Sequence, residues 1–181
     1  GRTPFPDRTL MGEIELAGSI FAAISYHSLT GVGYNQTKGA AYRSLLEYLT
    51  PRSIPILLGA DMNTPSVDHP DLEESEFCWP QHEPLVFGPS PEHDLSDALR
   101  TWLAAHPERM AAIREERPEG PLMTSHMIGK KNPKPARYDA IWASPEWRVD
   151  EVRYLFEEAV DAGSDHALVY ADVGLGEARL L

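Results

Sequence analysis

The sequence has a single cysteine, Cys78, so it cannot form an intrachain disulfide. It contains no apolar run long enough to cross a membrane, and its 16 Lys and Arg are outnumbered by 28 Asp and Glu, which gives a formal net charge of −12. This shortage of positive charge argues against a general nucleic-acid coat protein, because phosphate contacts need Lys and Arg. One cysteine permits a reducing compartment, and we expect a cytoplasmic protein without a membrane span.

Two catalytic signatures are also missing. No His and Cys residues occur at the spacing of a zinc site, and there is no G-x-S-x-G motif. Ser164, Asp165 and His166 do follow one another, but consecutive residues rarely provide the geometry of a catalytic triad. The sequence therefore disfavours a serine hydrolase.

The 181 residues are 42% hydrophobic, which predicts a single domain over 1–181 with a real core. Buried, nearly all-apolar strands are predicted over 20–26 and 54–61, with a helix of period 3.6 between them. Strand, helix and strand with short connections indicate an α/β layered fold. The other predicted elements are an alternating strand over 13–16, helices over 94–106 and 107–117, a short strand around Met123, a pair of strands over 137–144 and 147–156, and a closing strand after Ser164.

The segment PILLGADMN places Asp61 and Asn63 two residues apart at the end of a predicted strand. On an extended chain, side chains at i and i+2 point to the same side. A carboxylate beside an amide suits a metal-held phosphate or an activated water. Asp and Asn are also common at strand ends and turns, so this motif alone leaves a purely structural interpretation open.

Two further motifs carry chemistry. Asp139 in RYDAIWAS lies inside an apolar strand, where a buried carboxylate needs a partner. His166 in GSDHA is one candidate partner, since a histidine held by a buried carboxylate is a known catalytic device, and Arg137 is the other. Asp165 is next to His166 and can converge on the same ligand.

The remaining histidines and the basic residues are weaker indications of function. His27 follows an apolar strand, where a lone histidine is more often structural, and His126 in MTSHM could approach the site. A local basic cluster either grips a phosphate or solvates a loop; its members are Lys130, Lys131, Lys134 and Arg137. We assign no role to His69, His82, His93 and His106.

Taken in order, YHS, LLGADMN, RYDAIWAS and SDHALVYADV resemble the endonuclease/exonuclease/phosphatase superfamily, over about Gly12 to Gly174. The resemblance implies part of a four-layer α/β/β/α sandwich and a phosphoesterase that uses Mg²⁺ or Mn²⁺. It also implies a phosphate-ester substrate, for which the charge of −12 favours a small ester or lipid headgroup over long nucleic acid without excluding the latter.

The resemblance assigns roles to individual residues. Asp61 is similar to the carboxylate that activates water and contacts metal, and Asn63 to the amide that steadies the phosphoryl oxygens. His166 is similar to the histidine that contacts the scissile phosphate, with Asp139 as its paired carboxylate. Asp165 is similar to an acidic residue at the metal.

His27 is similar to a histidine that assists the leaving group in some branches of the family. Lys130 and Arg137 are candidates to bind the substrate phosphate because they belong to the local basic cluster, and the resemblance does not assign them.

The sequence departs from the family pattern at its start, where the family has an early Asn and then a metal-binding Glu. Nothing before Gly12 supplies either residue, so we expect the chain to be the C-terminal part of a larger enzyme. Such a part would leave an apolar sheet face uncovered, which predicts a homodimer or association with a missing N-terminal segment. The alternative function is a catalytically inactive remnant or binding module with the same fold.

Overall fold

The computed structural model describes residues 5–30, 35–64, 68, 71, 86–88 and 90–176. Cys78 and most of the segment 64–93 lie outside these residues. The elements, in chain order, are a 3-10 helix Pro6–Arg8, β1 Thr9–Leu16, β2 Ser19–His27, α1 Asn35–Leu49, β3 Ile56–Asp61, β4 Ser96–Asp97, α2 Ala98–Ala105, α3 Pro107–Glu116, β5 His126–Ile128, β6 Lys134–Ala136, β7 Asp139–Ala143, β8 Trp147–Leu155, α4 Phe156–Asp161 and β9 Leu168–Leu175. None of the helices in these ranges has the length and apolar character needed to cross a membrane.

The largest described sheet has the strand order β1-β2-β3-β7-β4. β1 and β2 form a hairpin whose turn residues, Ala17 and Gly18, have φ of 50° and 82°. β2 and β3 are parallel and are connected through α1, whereas β7 is antiparallel to β3. The predicted strand–helix–strand order and the α/β class are therefore confirmed.

Several predicted elements have different bounds in the structure; β1, for example, begins at Thr9 rather than at residue 13. The helix expected over 94–106 begins only at Ala98, because Ser96 and Asp97 pair with β7 as the short strand β4. The Asp97 side chain then accepts hydrogen bonds from the backbone N–H groups of Leu99 and Arg100, which caps α2. The short strand expected around Met123 lies further along the chain, as β5.

The core has two parts, one on each face of this sheet. On one face, α1 packs through Tyr42, Leu45 and Leu49 against the buried side chains of β2 and β3. On the other face, Ile141 of β7 packs with a cluster that includes Leu99 of α2 and residues of the β8–β9 hairpin. The sheet is thus covered by a helix on one side and by a second, two-stranded sheet on part of the other.

β1 is not covered in this way. Its side chains Leu10, Ile14 and Leu16 are 74%, 42% and 63% exposed, and they alternate along one face of the strand. Cross-strand pairing places them on the same face as Phe21, the face on which Ile141 lies. We call these three residues the β1 stripe.

A buried ion-pair network lies beside β7. Arg137 is 3% exposed; its Nε donates to Asp68 Oδ2 at 2.7 Å and its NH2 donates to Asp97 Oδ2 at 2.7 Å. Arg100 donates to the other oxygen of Asp68 at 2.8 Å. Burial raises the pKa of Asp68, but the charges and hydrogen bonds of Arg137 and Arg100 lower it below its usual range. The network thus connects Arg137, two residues before β7, with Asp97, which caps the start of α2.

We expect Asp68→Ala to lower the free energy of unfolding by about 3–5 kcal/mol, because it leaves the buried Arg137 without its bidentate partner. Urea unfolding of the two proteins measures the difference. Asp150→Ala is the matched control: Asp150 pairs with Arg148 on an exposed surface, and its loss should leave stability nearly unchanged.

The sign of the pH dependence follows from the lowered pKa of Asp68. The contribution of Asp68 to the free energy of unfolding is complete above the pKa of an unfolded Asp, about 3.9. It is lost as the pH falls through the lower pKa that Asp68 has in the folded protein. An Asp68→Ala variant as stable as the parent near neutral pH would contradict this account.

Candidate active site

Strand register brings three predicted site residues into one row. His27 ends β2 and pairs with Asp61 at the end of β3, and Asp61 pairs in turn with Asp139 at the start of β7. Paired residues of neighbouring strands face the same side of a sheet, so the three side chains emerge together. His27 Nε2 lies 3.3 Å from Asp61 Oδ2. The row lies at one edge of the sheet, on the face that carries the β1 stripe.

Asp61 and Asn63 do converge, although not by strand alternation. β3 ends at Asp61, and Asn63 has a φ of 47°, a left-handed conformation that Asn tolerates better than most residues. In this turn the backbone N–H of Asn63 donates to Asp61 Oδ1 at 3.0 Å, and its Nδ2 donates to Asp61 Oδ2 at 3.3 Å. The second amide hydrogen reaches the backbone oxygen of Ser28 at 3.2 Å. Both donors of the Asn63 amide are therefore engaged within the protein.

Asp139 pairs with His166 and not with Arg137. His166 Nδ1 lies 2.8 Å from Asp139 Oδ2, and a carboxylate can only accept, so Nδ1 carries the proton of this bond. The free ring position of His166 is then Nε2. Ser125 supports the pair, since its Oγ accepts from the backbone N–H of Asp139 at 3.0 Å.

The loop before β9 sets the position of His166. Ser164 Oγ accepts from the backbone N–H of His166 at 3.1 Å and donates to its carbonyl at 2.8 Å. The next residue, Ala167, donates its N–H to the carbonyl of Ser125 at 2.8 Å. The segment that carries His166 is thus tied to the segment that supports Asp139.

The pair also shifts the proton affinities of its members. Burial raises the pKa of the Asp139 carboxyl, and the hydrogen bonds from His166 and Ser125 oppose this rise. Partial burial lowers the pKa of His166, but the hydrogen bond and charge of Asp139 raise it more, so the net shift is upward. The imidazolium form of His166 therefore persists to higher pH than in a free histidine.

Among the residues that the structure describes, two groups of side chains have donor atoms close enough to hold a metal ion. Asp61, Asp139 and His166 form one group, and His126, Asp165 and His166 form the other; within each group the ligand atoms lie within 4.8 Å of one another. Asp61 and Asp165, the two ligands expected from the sequence, thus fall in different groups. His126 was given no definite role from the sequence, because only the bridge between His126 and His166 brings it here.

The role expected for Arg137 as a phosphate ligand is wrong. Its guanidinium is buried and engaged by Asp68, Asp97 and the Tyr154 hydroxyl, so it is not accessible to a substrate. Lys130 lies exposed between β5 and β6, and its expected role stays a prediction.

No protein-family model and no curated protein matches the chain. Solved structures do match it. D. rerio TDP2 complexed with a single-strand DNA product has a TM-score of 0.60 at 14% identity, over 92% of this chain and 61% of that one. An endonuclease/exonuclease/phosphatase family protein from Leptotrichia buccalis C-1013-b has a TM-score of 0.56 at 14% identity, over 92% and 54% of the two chains. The endonuclease/exonuclease/phosphatase from Beutenbergia cavernae DSM 12333 has a TM-score of 0.53 at 20% identity, over 96% of this chain and 40% of that one.

The chain spans between 40% and 61% of the length of these three structures. The likeness covers between 92% and 96% of the present chain. The resemblance inferred from the four motifs is therefore confirmed at the level of architecture: the chain has the α/β fold of the endonuclease/exonuclease/phosphatase family.

Proposed function

We propose that this chain is the catalytic part, or a portion of it, of a divalent-metal-dependent phosphoesterase. The observation that carries the proposal is the hydrogen bond between His166 and Asp139, because Asp139 lies next to Asp61 in the row at the sheet edge. Hydrolysis of a phosphate ester needs a positioned water, neutralisation of the phosphoryl oxygens and a proton donor, and this row holds groups suited to each task.

We assign His166 the role of donating a hydrogen bond to the phosphoryl group of the substrate. Its Nδ1 is held by Asp139, so Nε2 is left to face a substrate, and its raised pKa favours the charged, donating form. A protonated imidazole donates a charge-assisted hydrogen bond to a phosphoryl oxygen. Asp139 is in this view a positioning residue, which fixes the ring and stabilises its charge.

We assign Asp61 the role of activating the attacking water. It lies 20% exposed at the side chain, and it is steadied by both the backbone and the amide of Asn63. Because both hydrogens of that amide are already donated, we infer that Asn63 positions Asp61 rather than binding the phosphoryl oxygens itself. His27, 3.3 Å from Asp61, is close enough to exchange a proton with a leaving group at the same edge.

The residues fit a hard divalent cation such as Mg²⁺ or Mn²⁺. Asp61 offers a carboxylate oxygen, with water to complete the coordination that Mg²⁺ requires, while Asp139 stays the partner of His166. Asp165, which is exposed and falls in the group with His126, is the second carboxylate that we assign to the metal. When bound, such a cation supplies charge neutralisation on the phosphoryl oxygens and a lower pKa of bound water.

The acidic composition supports a small phosphate ester as substrate over long nucleic acid. Lys130 is the basic residue that we assign to contact such a substrate, since it is exposed in the β5–β6 connection. A cytoplasmic location is proposed from the single cysteine alone.

We expect His166→Ala to lower the rate of hydrolysis of a chromogenic phosphodiester by roughly 10²-fold or more, since a positioned proton donor contributes about that much. The assay is run with Mg²⁺ or Mn²⁺ and repeated with chelator, which should abolish turnover. His106→Ala is the matched control, because His106 lies between α2 and α3, stacks on Trp102 and is outside the row. Turnover that survives chelation or the loss of His166 would contradict the proposal, and no turnover by the parent chain would favour the binding-module alternative.

We expect Asp139→Asn to lower the pKa of His166, because the substitution removes the charge that raises it while keeping a similar shape. An NMR titration of the His166 ring measures this directly. The pKa of His166 is higher in the folded protein than in the unfolded chain, where it is about 6.5. The stability that the Asp139–His166 pair contributes is therefore complete below that unfolded pKa, and it is lost as the pH rises through the folded pKa of His166. Asp150→Asn, on exposed β8, is the control; an equal pKa of His166 in both variants would contradict the assignment.

We also propose that the chain self-associates through the β1 stripe. β1 is the edge strand of its sheet, and exposed apolar residues on an edge strand favour pairing with another chain. Light scattering should show a mass that rises with concentration, and Leu10→Lys with Leu16→Lys should keep the chain monomeric. Leu168→Lys, also exposed but on β9, should leave association unchanged. A parent chain that stays monomeric at high concentration would overturn self-association.

A further inference from the structure

His126 joins the candidate site without a part in the proposed reaction. It forms a β-bridge with His166, and the two rings stack with centroids 4.5 Å apart and planes inclined by 28°. Tyr138 stacks on His126 at 5.8 Å. The exposed carboxylate of Asp165 lies next to the pair, and one donor atom from each of His126, Asp165 and His166 falls within 4.8 Å of the others.

The hydrogen bonds of the two histidines fix the same tautomer in both neutral rings. His126 Nδ1 lies 3.0 Å from the backbone oxygen of Asp165, and His166 Nδ1 lies 2.8 Å from Asp139 Oδ2. Both acceptors are oxygens that cannot donate, so each Nδ1 carries a hydrogen and each Nε2 keeps a lone pair. Histidines that bind metals have this arrangement, with the second ring nitrogen donating to a carboxylate or a backbone carbonyl.

We propose that His126, Asp165 and His166 form a binding site for a zinc-class transition-metal ion, which shares Asp165 with the proposed Mg²⁺ site and differs from it in its two imidazole ligands. Two imidazole nitrogens and one carboxylate are a common protein ligand set for Zn²⁺, with water in the fourth position. Ligands around tetrahedral zinc lie about 3.3 Å apart, given bond lengths near 2.0 Å. The donor atoms lie within 4.8 Å of one another, and rotation of the exposed Asp165 side chain can shorten its distance to the two imidazoles.

The consequence is inhibition of the proposed activity. A metal ion on His166 Nε2 occupies the lone pair whose protonated form would donate to the phosphoryl group. Zinc therefore competes with the reaction at a residue that both uses share, while Mg²⁺ does not, since it prefers oxygen ligands. This consequence rests on the proposed function, but the binding of zinc does not.

Isothermal titration with Zn²⁺ alone, near neutral pH and in the presence of Mg²⁺, tests the site directly. The parent chain should bind one Zn²⁺ at this site, and His126→Gln should weaken that binding by about tenfold or more, as expected for the loss of a ligand. His106→Gln is the matched control and should bind as the parent does. Equal affinity in the parent and in His126→Gln, or equal losses in both variants, would overturn the proposal.

A second readout guards against a variant that merely misfolds. Co²⁺ in place of Zn²⁺ should give the visible absorption of a four-coordinate site in the parent, and this band should be lost in Asp165→Asn, whose side chain is exposed. Thermal unfolding without metal should be alike in the parent and in this variant. An unchanged Co²⁺ spectrum in Asp165→Asn would overturn the ligand set. If zinc binds as expected but the parent hydrolyses no phosphodiester, the proposed function fails and this site stands.

Discussion

The candidate site depends on the register of β3 against β7. This register places Asp61 opposite Asp139, and the parallel pairing of β2 adds His27 to the same row. Because side chains alternate along a strand, a slip of one residue would turn Asp139 toward α1 and put Ala140 in its place. The alternation of Ala140, Ile141 and Trp142 between two separate core clusters opposes such a slip. The packing that stabilises the sheet therefore also sets the geometry of the site.

A second constraint keeps two carboxylate systems apart. Arg137 lies two residues before Asp139, yet its charge is used by Asp68 and Asp97. Tyr154 connects the two systems, because its hydroxyl accepts from Arg137 at 3.2 Å and donates to the backbone oxygen of Asp139 at 2.7 Å. Asp139 is thereby free of a permanent cation, and its carboxylate remains the partner of His166. A salt bridge to Arg137 would have removed the charge that raises the pKa of the histidine.

The parts of this structure that could be predicted from the sequence are those governed by local patterns. Apolar runs and the 3.6-residue period gave β2, α1 and β3, and the cost of burying a lone carboxylate gave the pairing of Asp139 with a partner. The choice of His166 over Arg137 could not be derived from spacing, because it depends on Asp68, which lies 69 residues before Arg137 in the chain. The approach of His126 depends likewise on a long-range bridge to His166, and the amide of Asn63 reaches the backbone oxygen of Ser28, 35 residues earlier.

The two groups of metal-binding donors share one residue, His166, and this sharing has a chemical consequence. The group with Asp61 and Asp139 is dominated by carboxylates, which hard cations prefer, whereas the group with His126 has two imidazoles, which suit borderline metals. A hard cation can therefore use carboxylate oxygens without His166, whereas the group with His126 offers a borderline metal two imidazoles. Because Asp139 holds Nδ1 of His166, a metal ion can reach this ring only through Nε2, the atom that the proposed reaction also uses.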